Sequence, residues 1–298
     1  MSSIAYTADE SMLEYHRLCR NRSMLFWRLS SKKFADFQKG DLLFFFARPH
    51  KGRKKGLVGY AHFDSVIRLS LKQMWSRYGQ LTGYDSEELL REAIEKAAKE
   101  SIPKQLNCLY LTDVVFFISP IYPEEAGLDI QNNLESYCYL DHSDPSVTAR
   151  ILKIAEERGI DLWSADGEMS PEVIFRRDEI RHKLAVIHKS IGSSSFNKKE
   201  NTKADRLAKL RCEEPGWERI RTGRSDCLYM EEDKLVIGLP FVTQANDRDL
   251  RIREICGRML MYRVKAKQAG FNVTFEVLGD SVPDEVAEIA ELLNNEQI

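Results

Sequence analysis

The chain has 298 residues, 43% hydrophobic and 30% charged, which is ordinary globular composition and a length suited to two or three domains. Sixteen glycines and nine prolines argue against collagen-like or disordered character, and the longest apolar runs, 42–47 and 114–118, fall far short of the roughly 18 residues of a membrane-spanning helix. A formal charge of −2 conceals blocks of alternating sign: 12 Lys/Arg against 3 acids over 20–68, 9 against 18 over 69–170, 14 against 7 over 176–224, and 8 against 14 over 225–298. Two basic stretches in a near-neutral chain are the pattern of a polyanion binder, although a solvated face produces the same counts.

The first 140 residues read as α+β. Apolar, aromatic-rich segments at 24–29, 41–47, 56–66, 107–119 and 136–140 predict strands, and Gly40-Asp41 and Gly56 supply turn chemistry ahead of the second and third. Helices are predicted over 71–78 and 86–99, the second with Asp85 as N-cap and Leu89, Leu90, Ala93, Ile94 and Ala97 as its apolar face. Short strands with one helical insertion and no βαβ alternation suit a small, partly closed β-barrel. A helical middle follows, bracketed first by Asp144, Pro145 and Gly159, then opened again by Ser170-Pro171 and running to about Lys189. The Ser/Lys/Asn-rich stretch 191–203 is aperiodic and reads as the interdomain linker.

The last hundred residues predict a helix (202–213), strands at 225–230 and 234–242 around an acidic turn, a long helix (248–269), a strand (271–278) and a final helix after Pro283. The expected division is a base-recognition domain over 1–142, a helical connector over 143–199 and an α/β domain over 200–298. The start, 1–12, has neither a basic nor an apolar leader region. The six scattered cysteines form no C-x-x-C pair, so a reducing cytoplasm is expected and no disulfide or zinc site is signalled.

Chemistry concentrates in two places. From Phe26 to Phe63, aromatic residues on strands flank the basic loop His50-Lys51-Gly52-Arg53-Lys54-Lys55. A base taken out of its stack needs a flat aromatic floor, edge hydrogen bonds and nearby phosphate contacts, and this segment could supply all three. The run Trp27 to Ser30, the Gly40-Asp41 turn and Gly56-Leu57-Val58-Gly59-Tyr60-Ala61-His62-Phe63 resemble the PUA-like superfamily, in particular its EVE and ASCH branches, over residues 20–140. That resemblance implies a pocket for a modified base in DNA, or for RNA, with Trp27 and Ser30 at its wall. Phe46, Arg48, Trp75, Tyr78 and Tyr84 are further candidates by composition and placement, and Lys51, Arg53, Lys54 and Lys55 are candidates for phosphate contact. Each aromatic has a bland alternative as core, and His62, on an apolar strand, reads as a structural histidine.

The second place is Asp226 with the strand 234–241 and the helix from Arg253 to Arg263, which resemble the restriction-endonuclease-like PD-(D/E)xK fold. There Asp226 matches the first carboxylate, but the E-x-K slot reads Gly238-Leu239-Pro240, so the metal-dependent chemistry implied by the resemblance lacks its ligands. Glu232-Asp233-Lys234 is a literal E-x-K in a hairpin turn, and Glu213, Glu214, Glu218 or Glu254 could stand in as a migrated carboxylate. Mg²⁺ is therefore expected only if this domain is active. No P-loop, G-x-G-x-x-G or G-x-S-x-G occurs. The expectation is a nucleic-acid-binding protein, DNA before RNA, with a degenerate nuclease-like domain, working in restriction or phage defence as a homodimer or as a subunit of a defence complex. The alternatives are an active modification-dependent endonuclease and an RNA-binding regulator.

Overall fold

The computed structural model describes residues 2–49, 54–98, 102–161, 171–231, 234–243 and 247–295. It divides the chain into two compact units, Met1–Glu179 and Ile180–Ile298. The boundary falls inside a helix rather than in the Ser/Lys/Asn-rich stretch.

The first unit is built on a six-stranded sheet. Its strands are β1 (Ser3–Thr7), β2 (Ser23–Arg28), β3 (Leu42–Ala47), β4 (Gly56–Leu69), β5 (Leu106–Ile121) and β6 (Tyr137–Tyr139), in the order β2-β5-β4-β3-β1-β6. Five of these match the predicted strands. The sixth, β1, was not expected: it is short, and it is buried only because it lies parallel to β3, Ser3 opposite Leu42 and Thr7 opposite Phe46. Strands β1 and β2 are four places apart in the sheet, a separation of about 19 Å if it were flat. The rings of Tyr6 and Phe26 nevertheless meet at 5.1 Å, so the sheet curls strongly and rings from opposite ends share one core. Gly59 makes the curl possible, because at a bulge in the β4–β5 pairing a Cβ here would sit 2.3 Å from the Val115 carbonyl oxygen.

Alternation along each strand then decides what covers each face. Met24, Phe26, Leu43, Phe45 and Phe63 fill the concave side with Met12 and Leu13 of α1 (Glu10–Leu18), a helix capped by Asp9. Phe44, Phe46, Tyr60 and Phe117 face outward under α4 (Val147–Arg158), with Phe175 of α5 (Pro171–Ile191) completing that layer. The segment expected as a connector thus contributes α4 to the core of the first unit. Leu25, Leu69 and Cys108 pack under α2 (Leu71–Tyr78) and α3 (Glu87–Ala98). His62 is structural, as read: its Nε2 meets Asp178 at 3.0 Å, and Asp178 also accepts the Tyr60 hydroxyl at 2.7 Å.

In the second unit, α6 (Lys198–Arg211) opens on an Asn197 capping box, so half of the expected linker is helix. It leads to β7 (Trp217–Arg219), β8 (Cys227–Glu231), β9 (Lys234–Pro240), α7 (Arg248–Gln268), β10 (Thr274–Leu278) and α8 (Asp284–Asn295). The sheet order is β10-β9-β8-β7, antiparallel except for β9–β10, the parallel pair that needs α7 as its crossover. Leu228, Ile237 and Leu239 face α7 and α8, whereas Cys227 faces Ala208 of α6. The predicted order of elements is recovered, with the three-residue β7 added.

Candidate functional site

At the end of edge strand β2, Met24 and Phe26 occupy the concave core and Leu25 the opposite face, so Arg28 is carried inward by alternation. It is buried, at 5% exposure. Its guanidinium lies 4.6 Å over the Phe34 ring, and Phe34 in turn meets Phe37 at 5.0 Å and Tyr137 at 4.9 Å. The loop bearing Phe34 is pinned by the Tyr139 hydroxyl, which accepts from the amides of Ala35 and Asp36 at 3.0 and 3.1 Å. Among the described residues no carboxylate or carbonyl reaches this guanidinium: Nε and Nη1 are buried and make no hydrogen bond. A cation–π contact of about 2 kcal/mol when desolvated does not offset a desolvation penalty of several kcal/mol for a buried charge.

Trp27, the preceding residue, sits at the sheet edge and packs against both the concave core and the α2–α3 layer, as does Tyr84. Their N–H and O–H groups are both buried and neither meets full hydrogen-bond geometry, although the Trp27 N–H lies close enough to the Tyr84 oxygen to oppose the rise in its pKa. Burial, then the charge of Asp9, push the Tyr84 hydroxyl above its ordinary pKa. Tyr84 is positioned by Gly83, whose φ of +88° only glycine adopts easily and whose missing Cβ would lie 2.4 Å from Met12 Cγ. His16 packs on the same glycine, and burial lowers its pKa to about 4.

Of the residues expected at the pocket, Trp27 and Tyr84 therefore meet, and Trp75 and Tyr78 join the same α2–α3 cluster, Tyr78 against Tyr110 at 5.9 Å. Ser30 lies two residues beyond Arg28, its Oγ accepting from the Lys32 amide at 3.3 Å. Phe46 corrects the expectation: it is 1% exposed, locked under α4 on the outward face. Lys51 and Arg53 lie outside the described residues. Lys54 pairs with Glu124 at 3.4 Å, and Lys55 donates to the Leu134 carbonyl at 2.8 Å, while burial and then the neighbouring Arg48, itself exposed, lower its pKa. Lys54 and Lys55 also lie far from Trp27. Trp27 pairs with Cys108, which pairs with Ile67, whereas Lys55 precedes Gly56 at the other end of β4, roughly 30 Å along that strand. Lys32 and Lys33, exposed and without acidic partners among the described residues, follow Arg28 by four and five residues in the chain. Arg28, Lys32 and Lys33 were missed because a buried arginine and a solvated pair look alike in a charge count.

In the second unit Asp226 is 3% exposed. One carboxylate oxygen accepts from Tyr262 Oη at 2.8 Å, from His188 Nδ1 at 3.1 Å and from the Arg258 guanidinium. Burial alone would raise this carboxyl, but the His188 bond and the Arg258 charge outweigh it and hold its pKa below the ordinary value. Gly238 cannot be replaced by a ligand without movement: a Cβ there would lie 2.9 Å from the Trp217 ring and 3.3 Å from Cys227 and Leu278. It also faces the α6 layer, while Asp226 turns toward α7. Glu218 is bound by Arg181 at 2.6 Å, Glu214 by Arg211 at 2.6 Å, and Glu254 by Arg251 at 2.7 Å. Among the described residues no cluster of three or more His, Cys, Asp or Glu could hold a metal ion. The residues present do not fit a catalytic Mg²⁺. Glu232 and Asp233 lie outside the described residues.

No protein-family model matches the chain, and no curated protein matches it. Among solved structures it is similar to the ASCH protein of Zymomonas mobilis. One point variant of that protein has 16% identity and a TM-score of 0.38, covering 52% of this chain and 99% of that one. The unaltered form has 15% identity and a TM-score of 0.37, covering 51% and 94%, and a second variant has 13% and 0.37, covering 51% and 95%. The likeness spans about half the chain and assigns no role to any residue.

Proposed function

We propose that the protein binds nucleic acid and that its first unit receives a base, displaced from its stack and carrying a modification, beside Arg28 and Trp27. The observation that carries this reading is the buried guanidinium of Arg28, which has no anionic partner among the described residues. The groups left here are mostly donors: Nε–H and Nη1–H of Arg28 are unused, and beside them lie Nε1–H of Trp27 and the Tyr84 hydroxyl, which can donate or accept. A ligand that satisfies them presents acceptors in a flat frame, which is what the carbonyl and ring-nitrogen edge of a nucleobase offers, and Arg is the side chain that pairs such an edge bidentately. Phe34 and Tyr137 supply ring faces, and Lys32 and Lys33 supply backbone contacts.

The second unit serves as a nuclease-like platform without the metal chemistry of that fold, and the pair acts as a sensor or accessory subunit in restriction or phage defence. The packing around Asp226 and Gly238 favours this over an active endonuclease. Binding of duplex DNA with modified cytosine, plain duplex and single-stranded RNA, each titrated against salt, tests the reading. The expected result is a negative salt slope for all three and preference for one modified or unpaired substrate that Trp27→Ala abolishes. Equal loss of all three on Trp27→Ala would count against base recognition, and plasmid cleavage with Mg²⁺ that Asp226→Ala removes would favour the endonuclease.

A further inference from the structure

A cleft of about 620 Å³ opens in the second unit between the end of α5, one side of α6 and the loop ahead of β8. His188 forms part of its wall although the residue is only 3% exposed. The ring is held from behind. Nδ1 lies 2.7 Å from the Tyr262 hydroxyl and 3.1 Å from Asp226, and that hydroxyl donates to Asp226 at 2.8 Å. The Tyr262 oxygen is thus left to accept, so Nδ1 carries the hydrogen and Nε2 is the nitrogen left for the cleft. Among the described residues no partner reaches Nε2.

The charges around it do not cancel. Lys198 and Arg224 line the cleft, exposed and with no acidic partner among the described residues. Two carboxylates share the wall, but Asp205 is paired with Arg219 at 2.6 Å and Asp226 with Arg258. What remains is two unmatched cations and one imidazole nitrogen, set in a volume typical of small-ligand sites.

We propose that this cleft binds a phosphate monoester. Two side-chain cations suit the second charge of a monoester better than the single charge of a diester. The Nε2 of His188 shares the remaining proton with a phosphoryl oxygen, as acceptor from the P–OH form or as donor when the ring is charged, so one N–H–O link exists in either case. Asn201 and Thr202 add polar contacts, and the Phe196 ring closes one side. The monoester is carried by a free nucleotide-sized molecule or by the 5′ end of a strand. The site lies wholly in the second unit and does not rest on base recognition by the first.

The test is calorimetric titration of the full chain with a nucleoside 5′-monophosphate, its methyl diester, and 5′-phosphorylated and 5′-hydroxyl oligonucleotides, with the His188 ring nitrogens followed by NMR. The 5′-monophosphate should saturate below about 1 mM and move the His188 Nε2 resonance, while the diester binds at least about tenfold more weakly. Lys198→Ala/Arg224→Ala, two exposed substitutions compatible with folding, should weaken the monoester at least about tenfold. Saturation of the His188 Nε2 resonance reports on the second unit alone, which separates this site from the base-binding reading. Tighter binding of the phosphorylated oligonucleotide than of the nucleotide assigns the strand end as source, and the reverse assigns the free nucleotide. No saturation by about 10 mM, equal affinity for the diester, or an unaffected double variant overturns the proposal.

Discussion

Arg258 and Arg28 are buried to nearly the same depth, at 7% and 5% exposure, one in each unit. Arg258 is matched: it meets the Asp226 carboxylate and donates to the Gly192 carbonyl at 2.5 Å, and Tyr262 and His188 bind the same carboxylate. Arg28 has rings around it and, among the described residues, no carboxylate to neutralise it. A charge is kept in a protein interior when its partner is present or when its partner arrives later. The second unit has used its arginine for cohesion, and the first holds one in reserve.

Breaking the matched pair should have the largest effect. Arg258→Met strands a buried carboxylate and should cost about 3–5 kcal/mol, read as an earlier urea transition of the second unit by Trp217 fluorescence. A loss under about 1 kcal/mol would show that the network contributes little. Acid sharpens the same contrast. His16 is held neutral at about 4 against an ordinary 6.5, so the unfolded chain binds the extra proton between those values. Stability of the first unit should therefore fall by about 3 kcal/mol as pH drops from 6.5 to 4 and then level off, with His16→Gln removing the slope. Asp226 is shifted in the same direction, but for a carboxyl a lowered pKa favours the charged form, so its contribution is intact above its ordinary pKa of 3.8 and is lost only below it. Calorimetric melting across that range should show the first unit yielding before the second. Gly83→Ala should cost about 2 kcal/mol, because a Cβ would enter Met12 and His16 at a positive φ, and it should weaken nucleic-acid binding by displacing Tyr84.

Much of this was legible in the sequence and some was not, for physical reasons. Aromatic alternation and the glycine turns marked five of the six strands of the first sheet, because a half-buried strand writes its pattern locally. The strands β1 and β7 are three to five residues long and are defined by partners distant in sequence, so no local signal marks them. Trp27 and Tyr84 were expected together and are together. Arg28 was passed over because its ring neighbours come from the following loop and from β6, and only the curl of the sheet assembles them. The basic loop was conspicuous in charge, but the length of β4, invisible as distance in a string, separates its described residues Lys54 and Lys55 from Trp27. Asp226 was read as the first carboxylate of a nuclease-like site, whereas the Arg258, Tyr262 and His188 that bind it arrive from two helices distant in sequence.

The most direct test is Arg28→Met, measured twice on the same protein: unfolding in urea, and affinity for the preferred nucleic acid. An arginine waiting for a ligand can be replaced by an apolar side chain of similar length with stability unchanged or raised by up to about 2 kcal/mol, while binding falls about 10- to 100-fold. Lowered stability with undiminished binding would mean that Arg28 belongs to the fold like Arg258, and that the first unit has no base-binding role centred there.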